Sequence, residues 1–162
     1  MKKLLVLGIG NMLLTDEGVG VFAAEALQKE TWPENVSIME AGTFTQDIFY
    51  LFEDYDALIV LDILHTNSEP GTIYRLGEDD LVQKESQRLS IHDIDLLDSL
   101  TMAELLCGRR PSMRVVGIEP YDYNTWNIGL SEVLQPVFPK FLEAARAEIH
   151  DALAKLAASE QA

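Results

Sequence analysis

Two carboxyl side chains and a histidine stand where apolar runs give way to polar residues: Glu17, Asp62 and either His65 or His92. Two carboxylates and an imidazole can hold a borderline divalent metal with open positions. The same groups can run acid–base chemistry on a bound water. They lie far apart in the chain, so no local spacing motif joins them. His65 follows Asp62 by three residues, and His92 sits in Ser90-Ile91-His92-Asp93 just ahead of an expected helix. Spacing alone leaves both histidines open. No serine or cysteine nucleophile stands out, which argues against a covalent acyl intermediate. Cys107 is the only cysteine, so the chain has no disulfide framework of its own and no cysteine metal cluster. It ends a stripe of Leu96, Leu100 and Ala103 and reads as a small core residue. His150, beside the apolar stripe of the last helix, reads as a surface residue.

The elements that must position these groups follow from the pattern. Leu4-Leu5-Val6-Leu7 is a buried strand, and Gly8 and Gly10 allow a sharp exit from it. Thr15 or Asp16 then caps a helix running from about Asp16 to Lys29, with Asp16 read as the cap and Glu17 at the helix N-terminus. Val19, Phe22, Ala23, Ala26 and Leu27 form its apolar face, and Gly20 lets it pack close to the sheet. Glu17 thus falls at the carboxyl edge of the first strand, where open α/β sheets bind ligands. The Gly-x-Gly pair is not a dinucleotide fingerprint: Leu13 occupies the place of the third glycine, and two acids stand where a phosphate needs bare amides. The P-loop pattern is absent as well.

Further strands are expected at Val36–Met39, Ala57–Leu61, Thr72–Leu76 (an edge strand) and Met113–Ile118, with a turn at Glu40–Thr43. Helices are expected at Gln46–Phe52, from Asp93 to about Leu106, and from near Pro139 to the C-terminus. Glu78–Arg88 reads as a helical turn and loop. The loop Tyr121–Gly129, rich in aromatics and asparagine, suits a partner contact or a packed surface loop equally. This alternation means a three-layer α/β/α sandwich with a mostly parallel, twisted sheet, a single domain over residues 1–162.

Composition sets the outer bounds. The 162 residues, 48% of them hydrophobic, suit one folded domain with one good core. A formal net charge of −15 argues against nucleic acid and anionic membranes; it suits a partner with a basic tail or patch, and simple solubility at least as well. The start, Met1-Lys2-Lys3 and an apolar run, lacks the cleavage site of a signal peptide, and no stretch reaches transmembrane length without charge. A cytoplasmic location is expected.

One series of motifs runs through the chain in order. It comprises Gly8-Ile9-Gly10-Asn11, Leu14-Thr15-Asp16-Glu17-Gly18, Gly42-Thr43, Asp62, Pro70-Gly71-Thr72, Ser90-Ile91-His92, Val116-Gly117-Ile118 with Pro120, and Ile128-Gly129-Leu130-Ser131. In this series the chain resembles the hydrogenase maturation endopeptidases, which trim a C-terminal extension from the large-subunit precursor of nickel–iron hydrogenases. The resemblance implies that the metal-binding positions are Glu17, Asp62 and His92, and so selects His92 over His65. It implies that nickel is carried by the substrate and recognised at these residues, with no cofactor permanently bound. The family commonly has two glycines before the threonine that follows strand two; Ala41 replaces the first here. The ligand position that varies between Glu and Asp is Glu17. Either the substrate's nickel activates water or the carbonyl, or Asp62 or Glu17 acts as general base in the manner of acid proteases. A monomer is expected, since the partner surface must stay free. The alternative is a non-catalytic chaperone that senses nickel loading.

Overall fold

The computed structural model describes residues 1–42, 51–83 and 91–161, without the side chains of residues 81–83 and 91–96. Five strands, β1 (Leu4–Ile9), β2 (Val36–Gly42), β3 (Ala57–Ile63), β4 (Ile73–Gly77) and β5 (Ser112–Ile118), form one sheet in the order β2-β1-β3-β5-β4. All neighbours are parallel except β4, which runs antiparallel to β5 at the edge. The described helices are α1 (Val19–Gln28), α2 (Glu78–Gln83), α3 (Ile91–Cys107) and α4 (Phe138–Glu160).

Every residue of β1 and β3 is buried, as expected of central strands covered on both faces. Alternate residues feed two cores. Leu4, Val6, Ile59 and Leu61 pack with α1 and α4 through Val19, Ala23, Leu27, Phe141 and Ile149. Leu5, Leu7, Leu58 and Val60 pack with Leu100 and Ala103 of α3 and with Phe52. The three-layer sandwich with a mostly parallel sheet is therefore the architecture found. None of the described helices is long and apolar enough to cross a membrane.

Several boundaries differ from expectation. The first helix starts at Val19, after a single 3-10 turn at Thr15–Gly18, and no side chain caps either element. β2 runs on to Gly42 because Glu40 and Gly42 still pair with Gly8 and Ile9, so Glu40–Gly42 of the expected turn are strand, and Thr43 lies outside the described residues. β3 runs on to Ile63, so Asp62 lies inside the strand, opposite Gly117 of β5. α3 begins at Ile91, which puts His92 in the first helical turn and not ahead of it. Cys107 is half-buried at the end of its stripe. The expected helix at Gln46–Phe52 and the second half of Glu78–Arg88 lie largely outside the described residues.

Candidate active site

The sheet order makes a switch point between β1 and β3. From β1 the chain first goes outward to β2, then returns to build β3, β5 and β4 on the other side. In open α/β sheets the crevice at such a point, beyond the carboxyl ends of the strands, is the binding edge. The 3-10 turn carrying Glu17 follows β1 and packs against β3, whose carboxyl end carries Asp62.

Two glycines press that turn onto the sheet. A Cβ on Gly20 would stand 2.1 Å from the Leu61 carbonyl oxygen and 2.3 Å from that of Ile9. The first turn of α1 therefore rests directly on the ends of β1 and β3. Gly10 has φ 140°, and a Cβ there would lie 1.8 Å from the Glu17 carbonyl oxygen. Only glycine meets both demands. Between them Thr15 holds φ 52°, an uncommon conformation for a β-branched residue. Its hydroxyl donates to the Thr125 carbonyl at 2.6 Å, which helps hold the strained turn.

Asp62 is fully buried, and its Oδ1 accepts the Ile63 N–H at 2.8 Å. Glu17 is half-buried. α3, whose first turn includes His92, packs on the sheet through Leu100 and Ala103 and leads into the amino end of β5. The His92 side chain lies outside the described ones. Among the described residues no group of three His, Cys, Asp or Glu side chains is arranged to hold a metal ion. His65, the competing histidine, stacks edge-on against Tyr123 with ring centroids 4.6 Å apart.

An open cleft of about 620 Å3 adjoins the turn, lined by Gly10–Leu13, Val21 and Glu40–Gly42. Partial desolvation in its wall, and then the nearby Glu25 carboxyl, push the Glu40 carboxyl above its ordinary range.

Asp16 is the residue the sequence reading misplaced. It caps no helix. Fully buried, its carboxyl accepts four hydrogen bonds from a distant loop: the N–H groups of Tyr121 (3.0 Å), Asp122 (2.9 Å) and Ser131 (2.8 Å), and the Ser131 hydroxyl (2.8 Å). The main chains add Thr15 N–H to Asn127 O, Asn127 N–H to Leu13 O and Asp16 N–H to Asp122 O. A buried carboxyl with every oxygen engaged fixes the geometry of what it holds. Here that is a strap, residues 121–131, tied to the turn that bears Glu17. Glu119 was also missed. It is buried at the end of β5, and its Oε2 accepts both the N–H (2.8 Å) and the hydroxyl (3.1 Å) of Thr66. The only signal for Asp16 and Ser131 in the sequence was their membership in the same motif series.

The family model for HycI, hydrogenase maturation protease, matches residues 21–148, a span that includes Asp62 and His92 and begins just after Glu17. The hydrogenase 2 maturation protease of Escherichia coli is 30% identical over 151 residues, covering 92% of each chain. The hydrogenase expression/formation protein HupD of Rhizobium leguminosarum is 34% identical over 146 residues, 88% of this chain and 72% of that protein. Among solved structures, the hydrogenase maturating endopeptidase HybD from E. coli superposes with a TM-score of 0.82 at 29% identity, covering 93% of both chains. The [NiFe] hydrogenase maturation protease HybD from Thermococcus kodakarensis superposes with a TM-score of 0.74 at 25% identity, over 90% of this chain and 97% of that one. With its sheet, its switch-point turn and these matches in agreement, the chain belongs to the hydrogenase maturation protease family, a family of peptidases.

Proposed function

We propose that this protein is the endopeptidase that removes the C-terminal extension from the nickel-loaded large-subunit precursor of a nickel–iron hydrogenase. In this reading Glu17, Asp62 and His92 meet the nickel that the precursor itself carries, and the free enzyme holds no metal of its own. The observation that carries the reading is the docking of the Glu17 turn onto the end of β3, where Asp62 lies, at the switch point of the sheet. Two carboxyl groups and an imidazole are a borderline donor set, able to complete the coordination of a metal already held by another protein.

The chemistry is hydrolysis of one peptide bond. Water adds to the scissile carbonyl, the C–N bond breaks, and the new amine takes up a proton. Either the substrate's nickel polarises the carbonyl or water, with the three residues positioning it, or Asp62 or Glu17 takes the proton from water as general base. The enzyme acts as a monomer in the cytoplasm, with its acidic surface free for the precursor.

The test is incubation of nickel-loaded and nickel-free precursor with the wild-type protein and with His92→Ala, with the released peptide read by mass spectrometry. Cleavage of the loaded precursor by wild type alone supports the reading. Binding without cleavage of either precursor turns it toward a nickel-sensing chaperone.

A further inference from the structure

The strap held by Asp16 presents unusual chemistry to solvent. Trp126 is 73% exposed, Ile128 67% and Tyr121 61%, and Leu13, on the turn it is tied to, is 44% exposed. Leu14 and Asn127 form a parallel bridge, so Leu13 and Trp126, one step back on each segment, share a face. Exposed apolar side chains gathered on one short segment, such as Trp126 and Ile128 beside Leu13, mark an interaction surface, and Trp and Tyr dominate such surfaces. The strap is also pre-organised. Hydrogen bonds between residues 121–131 and the turn residues Leu13, Thr15 and Asp16 set it before any partner arrives.

Charge says what kind of partner fits. The sequence has no Lys or Arg between Lys3 and Lys29, between Lys29 and Arg75, or between Arg114 and Lys140. Those stretches supply the described loops at the carboxyl edge of the sheet, with Glu17, Asp122 and Glu132 in them and Glu40 near the end of β2 beside them. A second copy of this chain would set that acidic rim against itself. A partner with an apolar patch rimmed by Lys and Arg would not meet this repulsion.

We propose that the strap, with Leu13, is the surface that seats the folded body of the precursor subunit, and that Asp16 is the positioning residue that keeps this surface in register with Glu17. The proposal rests on the protease reading and adds a contact outside the reacting centre. Docking through the strap sets where the precursor's C-terminal segment enters the crevice, and Asp16 transmits that placement because one carboxyl bonds to the strap from the residue next to Glu17.

The experiment uses the nickel-loaded precursor and reads direct binding by biolayer interferometry alongside steady-state cleavage. In the double variant Trp126→Ser/Ile128→Ser, Kd and KM should rise by about tenfold or more, with kcat within about twofold of wild type and an unchanged melting temperature. Unchanged Kd overturns the docking surface. Asp16→Asn should raise Kd and also lower kcat, because strap and turn lose their common register. Ser131→Ala, which removes one of the four bonds, should do the same to a smaller degree and serves where Asp16→Asn does not fold. A lowered melting temperature with unchanged Kd and kcat would make Asp16 merely structural and sink its positioning role. If wild type binds but does not cut, the protease reading fails and Kd alone decides the docking surface. If wild type does not bind at all, both fall. A wild-type dimer in sedimentation velocity that the double variant dissociates hands the patch to a second copy and overturns the proposal.

Discussion

Asp62 occupies the least forgiving position in the site. Burying a carboxyl group in the interior of a central strand costs several kcal/mol unless it is bonded or has work to do there, and Asp62 is fully buried between Leu61 and Ile63. Asp62→Asn keeps the shape and an oxygen to accept the Ile63 N–H, but removes the charge. Cleavage should fall by about 10²- to 10⁴-fold with the folded state retained, as judged by circular dichroism and turnover of the loaded precursor; activity within a few-fold of wild type would remove Asp62 from the reaction. The place of Asp62 near the carboxyl end of a central strand was legible in the sequence because an acid that closes an apolar run stands where such a strand meets the ligand-binding edge. Asp16 was not, because the groups it bonds lie 105 to 115 residues away and no local pattern reports them. Asp122 makes a separate prediction within the strap. Hydrogen bonds from the Thr125 side chain, then from the Thr125 and Asn124 N–H groups, hold its carboxyl below the usual aspartate range. An acid whose folded value is depressed contributes stability above its unfolded value and loses it as pH falls through the folded one. Amide protection of Asn124 and Thr125 should therefore persist through mildly acidic pH and disappear only below the ordinary aspartate range. Hydrogen exchange across pH measures this, and loss of protection already near neutral pH would contradict it.

At the level of elements, the position of Glu17 depends on how closely α1 approaches the sheet. Gly20→Ala places a methyl group 2.1 Å from the Leu61 oxygen, backbone that cannot step aside, so α1 and the 3-10 turn ahead of it must lift. The variant should lose about 2 kcal/mol or more in urea unfolding and lose cleavage out of proportion to that loss, since the turn moves away from β3. Cleavage that simply tracks the folded fraction would mean that the approach serves packing alone. The need for Gly20 was readable as a glycine on a helix face, but the 3-10 turn was not. Thr15, Asp16 and Glu17 look like a helix start in one dimension, and only the pull of the strap on Thr15 and Asp16 turns their side chains away from a capping role. Strand ends were underestimated for a related reason. Glu40 and Asp62 are polar, yet each still pairs with a neighbouring strand, so polarity marked the edge of the apolar run and not the end of the ladder.

At the scale of the whole molecule, the described charges are unevenly placed. The described cations Lys2, Lys3, Arg109 and Arg110 flank the amino ends of the strands, whereas Arg75 and Arg114 are paired to the buried Glu148 of α4 and Arg146 to Glu30. The described loops at the opposite edge, beside the crevice, carry no Lys or Arg, and the nearest described cation there is Lys140 in the first turn of α4. The net charge of −15 was plain in the sequence and suited simple solubility as well as a basic partner, but only the fold shows that the described loops without cations gather on one edge. An acidic face around the site steers a basic partner during encounter and does little once the complex has formed, because the field acts over distance and is screened by salt. Raising salt from about 0.05 M to about 0.5 M shortens the screening length from over 10 Å to under 5 Å. The association rate constant for the loaded precursor should then fall by about tenfold or more, while kcat at saturating precursor stays within about twofold. Stopped-flow association and steady-state cleavage on the same samples separate the two. An association rate that ignores salt would mean that the acidic edge serves solubility alone, and recognition would then rest on the apolar strap and the residues of the crevice.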